Sequence, residues 1–419
     1  MLLMSGHKAF YKNTAWQYGL QLIKYILPLV TLPYLTRVLE PEGYAVYAYV
    51  LSFMGFAQVI VDFGFNLSGT KQIANATDNE EASRIFGSIT QARLILCVIV
   101  AAGVAAIGSF IPIVRENAAY AALAYIAVCG RAMAPDFIFQ GKEQLGTLTT
   151  RYFAAKGTST VLTFVFVHSS ADLLWLPLLD ILASVIAFIW SVAAAKQRFG
   201  IRVVWVKFSS CWKELMRSGY YCLSNLASSS FSGLTTLVIG IAITDSVQIA
   251  YWSLAMTAVA AVQALYTPIT NSLYPHMVVG GDYDFARKLA LISLPFVTAG
   301  TVLFFIVADW IVMLLGGAQY MDGVYVVQLL APVLWFSFYG MYFGWPVMGA
   351  IGKVKQLTAT TIIAGLTGAI GLLALCAFGI ASVAAFCIVR NAAEIVMCVL
   401  RVMGAHKALV EAKTNSSGI

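Results

Sequence analysis

The sequence predicts an all-α integral membrane protein of about twelve transmembrane helices. These helices are expected in two six-helix lobes related by a pseudo-two-fold axis along the membrane normal. Three observations carry this expectation. Of 419 residues, 60% are apolar and only 11% charged, whereas a soluble domain devotes about 25% of its residues to charge. The apolar residues gather into runs of about twenty, the length that takes a helix through ~30 Å of hydrocarbon. A single long basic break divides those runs into two sets of six. Disorder, a collagen-like repeat and a disulfide-stapled secreted module are excluded by the same composition. Continuous apolarity also excludes a membrane barrel, whose strands alternate apolar and polar residues over about ten positions.

The first run, 14–36, contains Lys24 and two prolines, Pro28 and Pro33, which predict a bent helix. Runs at 44–66, 87–110, 118–139, 150–168 and 173–195 complete an N-lobe spanning residues 1–195. Residues 196–218 form the break, KQRFGIRVVWVKFSSCWKELMRS, in which basic residues alternate with Val, Trp and Phe. It suits a segment lying on an anionic cytoplasmic leaflet and equally a plain linker that follows the positive-inside rule. Runs at 219–243, 247–272, 289–312, 323–349, 357–378 and 381–403 make a C-lobe over 219–403, and 404–419 is a cytoplasmic tail. Tyr47 and Tyr251 each open a long run that ends in a comparable polar turn, FGFNLSGTKQIA and TPITNSLYPHMV. This trace of an internal repeat predicts a central cavity between residues 1–195 and 219–403.

Orientation follows from the loop charges. Eighteen of the 26 lysines and arginines fall in segments on one side, among them Lys71, Arg84, Lys142, Arg151 and the six of the basic break, against Arg37 and Arg115 on the other. The positive-inside rule places both termini in the cytoplasm. The seven cysteines form no CxxC and read as small core residues. His7, His168, His276 and His406 each stand alone, so neither a metal site nor a triad is expected. No phosphate-binding P-loop is present, and no cofactor or nucleic-acid partner is implied.

The residues that could carry chemistry are ionisable groups at membrane depth, where an unpaired charge is costly and faces a cavity or a partner. Lys24, Arg93, Arg131 and Arg390 are the cations, with Lys156 shallower; Asp62, Asp136, Asp180, Asp309 and Glu394 are the acids. Arg390 and Glu394 are four apart on one helix and can pair. Arg131 can be partly neutralised by Asp136, although Pro135 intervenes, which leaves Lys24 and Arg93 as the freest anion-binding groups. A cavity lined by these four cations would attract a phosphorylated substrate, because guanidinium groups grip phosphate oxygens in bidentate fashion. Asp62, Asp136 and Glu394 could bind a proton or Na⁺ and couple transport to an ion gradient. The aromatics between Trp335 and Trp345 could stack on sugars or simply pack and face lipid.

Four stretches carry a resemblance. PLVTLPYLTRVLEPEGYAVYAYVLS from Pro28 to Ser52, VDFGFNLSGTKQIA with Asp62, Gly64, Asn66 and Lys71, PDFIFQGKEQL with Asp136, Phe139, Gln140, Gly141 and Glu143, and LYTPITNSLYPHM with Pro268, Tyr274 and Pro275 resemble motifs of the bacterial O-antigen and polysaccharide translocases. That family lies within the multidrug/oligosaccharidyl-lipid/polysaccharide exporter superfamily. Glu40 and Ala45 stand where it usually has glycine, and Phe137 where it usually has tryptophan. The resemblance implies a twelve-helix, two-lobed flippase of the bacterial inner membrane that works by alternating access and is not an enzyme. Its implied substrate is an undecaprenyl-diphosphate-linked oligosaccharide moved from the cytoplasmic to the periplasmic leaflet. Membrane lipid, a polysaccharide polymerase and a chain-length regulator are the implied partners. A cation-coupled multidrug exporter of the same superfamily, which would favour an acidic cavity, and a non-transporting scaffold or membrane enzyme of polysaccharide assembly are the competing readings.

Overall fold

A computed structural model describes residues 2–266, 269–270, 273–274, 277 and 283–416. Pro268, Pro275 and His276 therefore lie outside the described residues, as do the side chains of His7, Lys8, Lys12 and Lys413. The described residues are helical throughout their ordered elements, with no strand among them. Nine helical segments among them are long and apolar enough to cross a membrane. This is a multi-pass membrane protein, and its all-α class is the one the composition demands.

The chain packs as two compact units, Met1–Ser229 and Ser230–Ile419. The first begins with α1 (Leu2–Val38), which runs as one continuous helix through Pro28 and Pro33. Each proline removes a ladder donor. Thr31 donates to Leu27 O at 3.1 Å and Thr36 to Leu32 O at 3.0 Å, so both hydroxyls are satisfied within the helix by back-bonding. Then come α2 (Glu40–Asp62), α3 (Phe65–Asn75) and α4 (Asn79–Ser109). Phe63 (φ 45°) and Gly64 (φ 74°) both adopt left-handed backbone and end α2. Asp78 caps α4 by accepting from Glu81 N at 2.7 Å, a favoured N-cap arrangement.

The unit continues through α5 (Pro112–Glu116), α6 (Ala118–Met133), α7 (Asp136–Gly141), α8 (Leu145–Phe166) and α9 (Trp175–Phe199). Two of the sequence motifs meet here, because α3 packs directly on α7. A β-carbon at Gly69 would stand 2.9 Å from the Phe137 ring, and one at Gly141 would stand 2.8 Å from Ile73 and 2.9 Å from the Thr70 carbonyl. Thr70 Oγ1 donates to Gln140 Oε1 at 3.1 Å across the same contact. Around it lies a core of Phe65, Ile73, Phe86, Ile89, Phe137, Ile138 and Phe139.

Gly200 (φ 67°) ends α9 in the manner of a left-handed C-cap. Residues 200–207 then run without helix along α4 until α10 (Phe208–Ala242) begins. Arg202 N donates to Ser83 Oγ at 3.1 Å, and a β-carbon at Gly87 would collide with the Val204 carbonyl. The basic break of the sequence thus comprises the end of α9, this extended strap and the first turns of α10.

The second unit contains the remainder of α10, α11 (Ser246–Ala264), α12 (Tyr283–Ile306), α13 (Ala308–Leu315), α14 (Val324–Tyr342), α15 (Val354–Ala377) and α16 (Val383–Ser416). A π-helical turn, Phe343–Gly349, follows α14 and is kinked at Gly344 (ψ −115°). Arg401 ties α16 to this region, donating to Gly340 O at 2.8 Å and Thr361 Oγ1 at 2.9 Å. Phe338, Tyr339 and Tyr342 are buried within this unit's core, so packing accounts for much of the aromatic cluster.

Candidate functional site

Six of the first unit's long helices and two of its short ones contribute to one cavity of about 550 Å³. Lys24 comes from α1, Gln58 and Asp62 from α2, Asn66 from α3, and Arg93 from α4. Arg131 comes from α6, Asp136 from α7, Arg151, Tyr152 and Lys156 from α8, and Asp180 from α9. The wall therefore carries five cations against three carboxylates, an excess of positive charge in a site where surrounding hydrocarbon strengthens every interaction.

The lining is a chain of shared partners. Lys156 Nζ lies 2.6 Å from Asp180 Oδ1, and Arg131 NH1 lies 3.6 Å from Oδ2 of the same carboxylate. Arg131 Nε donates to Gln58 Oε1 at 3.4 Å, and Gln58 Nε2 donates to Asp62 Oδ2 at 3.1 Å. Asp62 Oδ1 in turn faces Arg93 NH2 at 3.8 Å. Arg93 is 1% exposed; it donates to Asn66 Oδ1 at 3.1 Å and Ala134 O at 3.2 Å. The rings of Phe65 and Phe137 lie 5.8 and 5.7 Å from its guanidinium, contacts that favour a cation. Arg151, also buried, binds Asp136 Oδ1 at 2.7 Å and Ser191 Oγ at 2.6 Å.

Lys24 differs from all of these. It is exposed to the cavity, and its ammonium lies 5.6 Å from the Tyr152 ring centroid. No carboxylate among the described residues comes within ion-pair distance of it.

The structure corrects three details of the charge assignment. Arg131 pairs with Asp180, not with Asp136, whose partner is Arg151. The cause is the break between α6 and α7: Ala134 is extended (φ −63°, ψ 127°), which separates the end of one helix from the start of the next. Arg93 is not among the freest groups, since Asp62, Asn66 and a main-chain carbonyl hold it. Arg390 is not a lining residue of this cavity. It lies in the second unit, buried against Glu394 at 2.6 Å. Lys24, Arg93, Arg131, Asp62 and Asp136 do share the one cavity. Arg151, which the loop count assigns to a cytoplasmic segment, and Lys156 are part of it too. The signal for them was two cations within the first half of one run.

Among the described residues the protein is an all-helical, multi-pass membrane protein with a charged cavity inside its first unit. In comparison with solved structures it superposes on the lipid II flippase MurJ in an inward closed conformation, with a TM-score of 0.72 and 10% identity over 97% of this chain and 90% of that one. An outward-facing multidrug resistance transporter of the MATE family matches with a TM-score of 0.59 and 14% identity, over 96% of this chain and 95% of that one. The chain belongs to the polysaccharide biosynthesis protein family, whose pattern it matches over residues 10–279. Two relatives carry the name "Putative O-antigen transporter". That of Escherichia coli (strain K12) is 25% identical over 85% of this chain and 87% of its own length. That of Shigella dysenteriae is 25% identical over 66% and 69%.

Proposed function

We propose that this protein is a transporter and not an enzyme, and that it flips an undecaprenyl-diphosphate-linked oligosaccharide from the cytoplasmic to the periplasmic leaflet of the bacterial inner membrane. The observation that carries this reading is the cationic excess of the cavity, five basic groups against three carboxylates, with Lys24 free of any acid among the described residues. A diphosphate brings the complementary charge. Lys24 and Arg131 (side chain 40% exposed) are placed to meet it directly, and Lys156 can do so by leaving Asp180. Arg93 and Arg151, buried and held by the scaffold, contribute positive potential rather than contact. The glycan follows through water while the polyprenyl tail stays in lipid, and the lobes alternate access with both termini in the cytoplasm. The same charge excess counts against a cationic drug as cargo. Arg390 and Glu394 serve this reading as structural charges of the second unit, and Asp62, with its carboxylate partly open to the cavity, is the acid best placed for ion coupling.

Reconstitution into sealed vesicles carrying a labelled lipid-linked oligosaccharide on one leaflet tests the proposal. The expected result is transfer of the glycan to the other leaflet, lost in the Lys24→Glu, Arg131→Glu variant. Failure of the intact protein to move the glycan, while a cationic dye is transported, would overturn it in favour of an exporter.

A further inference from the structure

The strap at 200–207 and the first turns of α10 have two faces of opposite character. Inward, Ile201, Cys211 and Ser218 are fully buried, and Glu214 nearly so. Ser218 Oγ meets Ser68 Oγ at 2.7 Å, and Glu214 accepts from Gln72 Nε2 at 2.8 Å while holding Arg217 at 3.3 Å. These contacts fasten the segment to α3 and α4 in one orientation.

Outward, the same segment presents Trp205, 83% exposed, then Phe208, Trp212 and Met216, the last 70% exposed. The latter three follow one another at four-residue spacing, which aligns them along a single helix face. Arg202, Lys207 and Lys213 are exposed among them, with no ion pair to any described residue. Exposed apolar side chains need no explanation where a helix crosses hydrocarbon. This stretch does not lie in hydrocarbon, because it carries cations every few residues just beyond α9, whose segment is long and apolar enough to cross a membrane. Large aromatics mixed with lysine and arginine suit the headgroup layer, where indole rings settle and basic side chains meet anionic lipid.

We propose that residues 202–216 form a docking face for anionic phospholipid headgroups on the cytoplasmic leaflet. Trp205, Phe208, Trp212 and Met216 sit at headgroup depth, and Arg202, Lys207 and Lys213 take lipid phosphates. Charge complementarity selects the occupant, for three uncompensated cations around an apolar strip match an anionic interface better than a neutral one. This face is independent of what the cavity carries.

Hydrogen exchange on the purified full-length protein tests it, in nanodiscs of phosphatidylcholine alone and of phosphatidylcholine with about one-third phosphatidylglycerol. The readout is exchange at amides 202–207, outside the helices, with amides of α9 as the internal control for folding. Anionic lipid is expected to slow exchange in the strap by about threefold or more. The combined Arg202→Gln, Lys207→Gln and Lys213→Gln variant should lose that dependence while α9 exchanges as before. Trp205→Ser with Trp212→Ser should speed strap exchange in both lipids. Equal exchange of the intact protein in the two lipids would overturn the proposal and leave the face to a protein partner. A lipid dependence that survives removal of the three charges would overturn it as well.

Discussion

Lys156 on α8 and Asp180 on α9 are joined by an ion pair of 2.6 Å, and that same carboxylate also faces Arg131. One acid therefore restrains two of the cavity's cations. Under the proposed function, a substrate phosphate competes with Asp180 for both.

Replacing Asp180 by Asn removes the competitor but keeps the shape. Binding of a diphosphate lipid should tighten about tenfold, equivalent to ~1.4 kcal/mol, while transfer to the opposite leaflet slows because release becomes harder. Titration of the purified variant, set beside vesicle transport, reads both effects. Unchanged affinity would show that Asp180 does not face the anion.

Lys24 and Arg93 should respond differently to loss of charge. Lys24→Gln leaves no acid stranded, so abundance and thermal stability should stay normal while export falls, and Lys24→Glu should be worse. Arg93→Gln removes the buried donor that holds Asn66 and the Ala134 carbonyl and faces Asp62, a loss of about 1–3 kcal/mol, and should lower the amount of folded protein. Export assays normalised to membrane abundance separate the two.

The buried pair of the second unit offers a contrast with the cavity. Glu394→Gln alone leaves Arg390 with a neutral neighbour at 4% exposure and should destabilise by about 3–5 kcal/mol. Joint replacement, Arg390→Met with Glu394→Leu, should recover most of that stability because an apolar pair of similar volume avoids the desolvation cost. Export at normal levels in the double variant would place both charges outside substrate binding.

At the contact of α3 with α7, Gly141→Ala pushes a methyl group against the Thr70 main chain, which cannot yield as a side chain could. A loss of about 1–3 kcal/mol is expected. Glu40 presents the opposite case: it holds φ 58°, a conformation that costs an L-residue about 1–2 kcal/mol. Glu40→Gly should raise the thermal midpoint in detergent, and no gain would mean that the Glu40 side chain repays its strain.

Much of the fold can be read from the chain because hydrocarbon imposes a simple rule on length and polarity. The expected runs fall mainly on helix where the residues are described, although breaks at Phe63–Gly64, Ala134–Pro135 and Val307 divide three of them, and Lys24, Arg93 and Arg131 stand out in the sequence as cations at membrane depth. Pairings were legible only within one helix, as for Arg390 and Glu394. Arg131 and Asp136 are close in sequence, yet the extended backbone at Ala134 parts them, and Asp180 arrives from a helix some fifty positions along. Arg151 reads as a loop charge because the apolar run begins beside it, whereas Asp136 and Ser191 draw it inward. Strain at Glu40 was hinted at by the glycine usual at that place in the resembling family, but its sign of φ appears only in three dimensions.

Gly87 bears on the basic strap in a way its neighbours do not. The atom it lacks is the one that would occupy the space of the Val204 carbonyl, so the strap lies in a groove one hydrogen deep. No rotamer change can make room there, since main chain meets main chain. Alanine at this position would act as a wedge that lifts the strap and its tryptophans away from α4, leaving the membrane helices on either side untouched. The smallest side chain that chemistry allows is thus enough to unseat the largest ones on that surface.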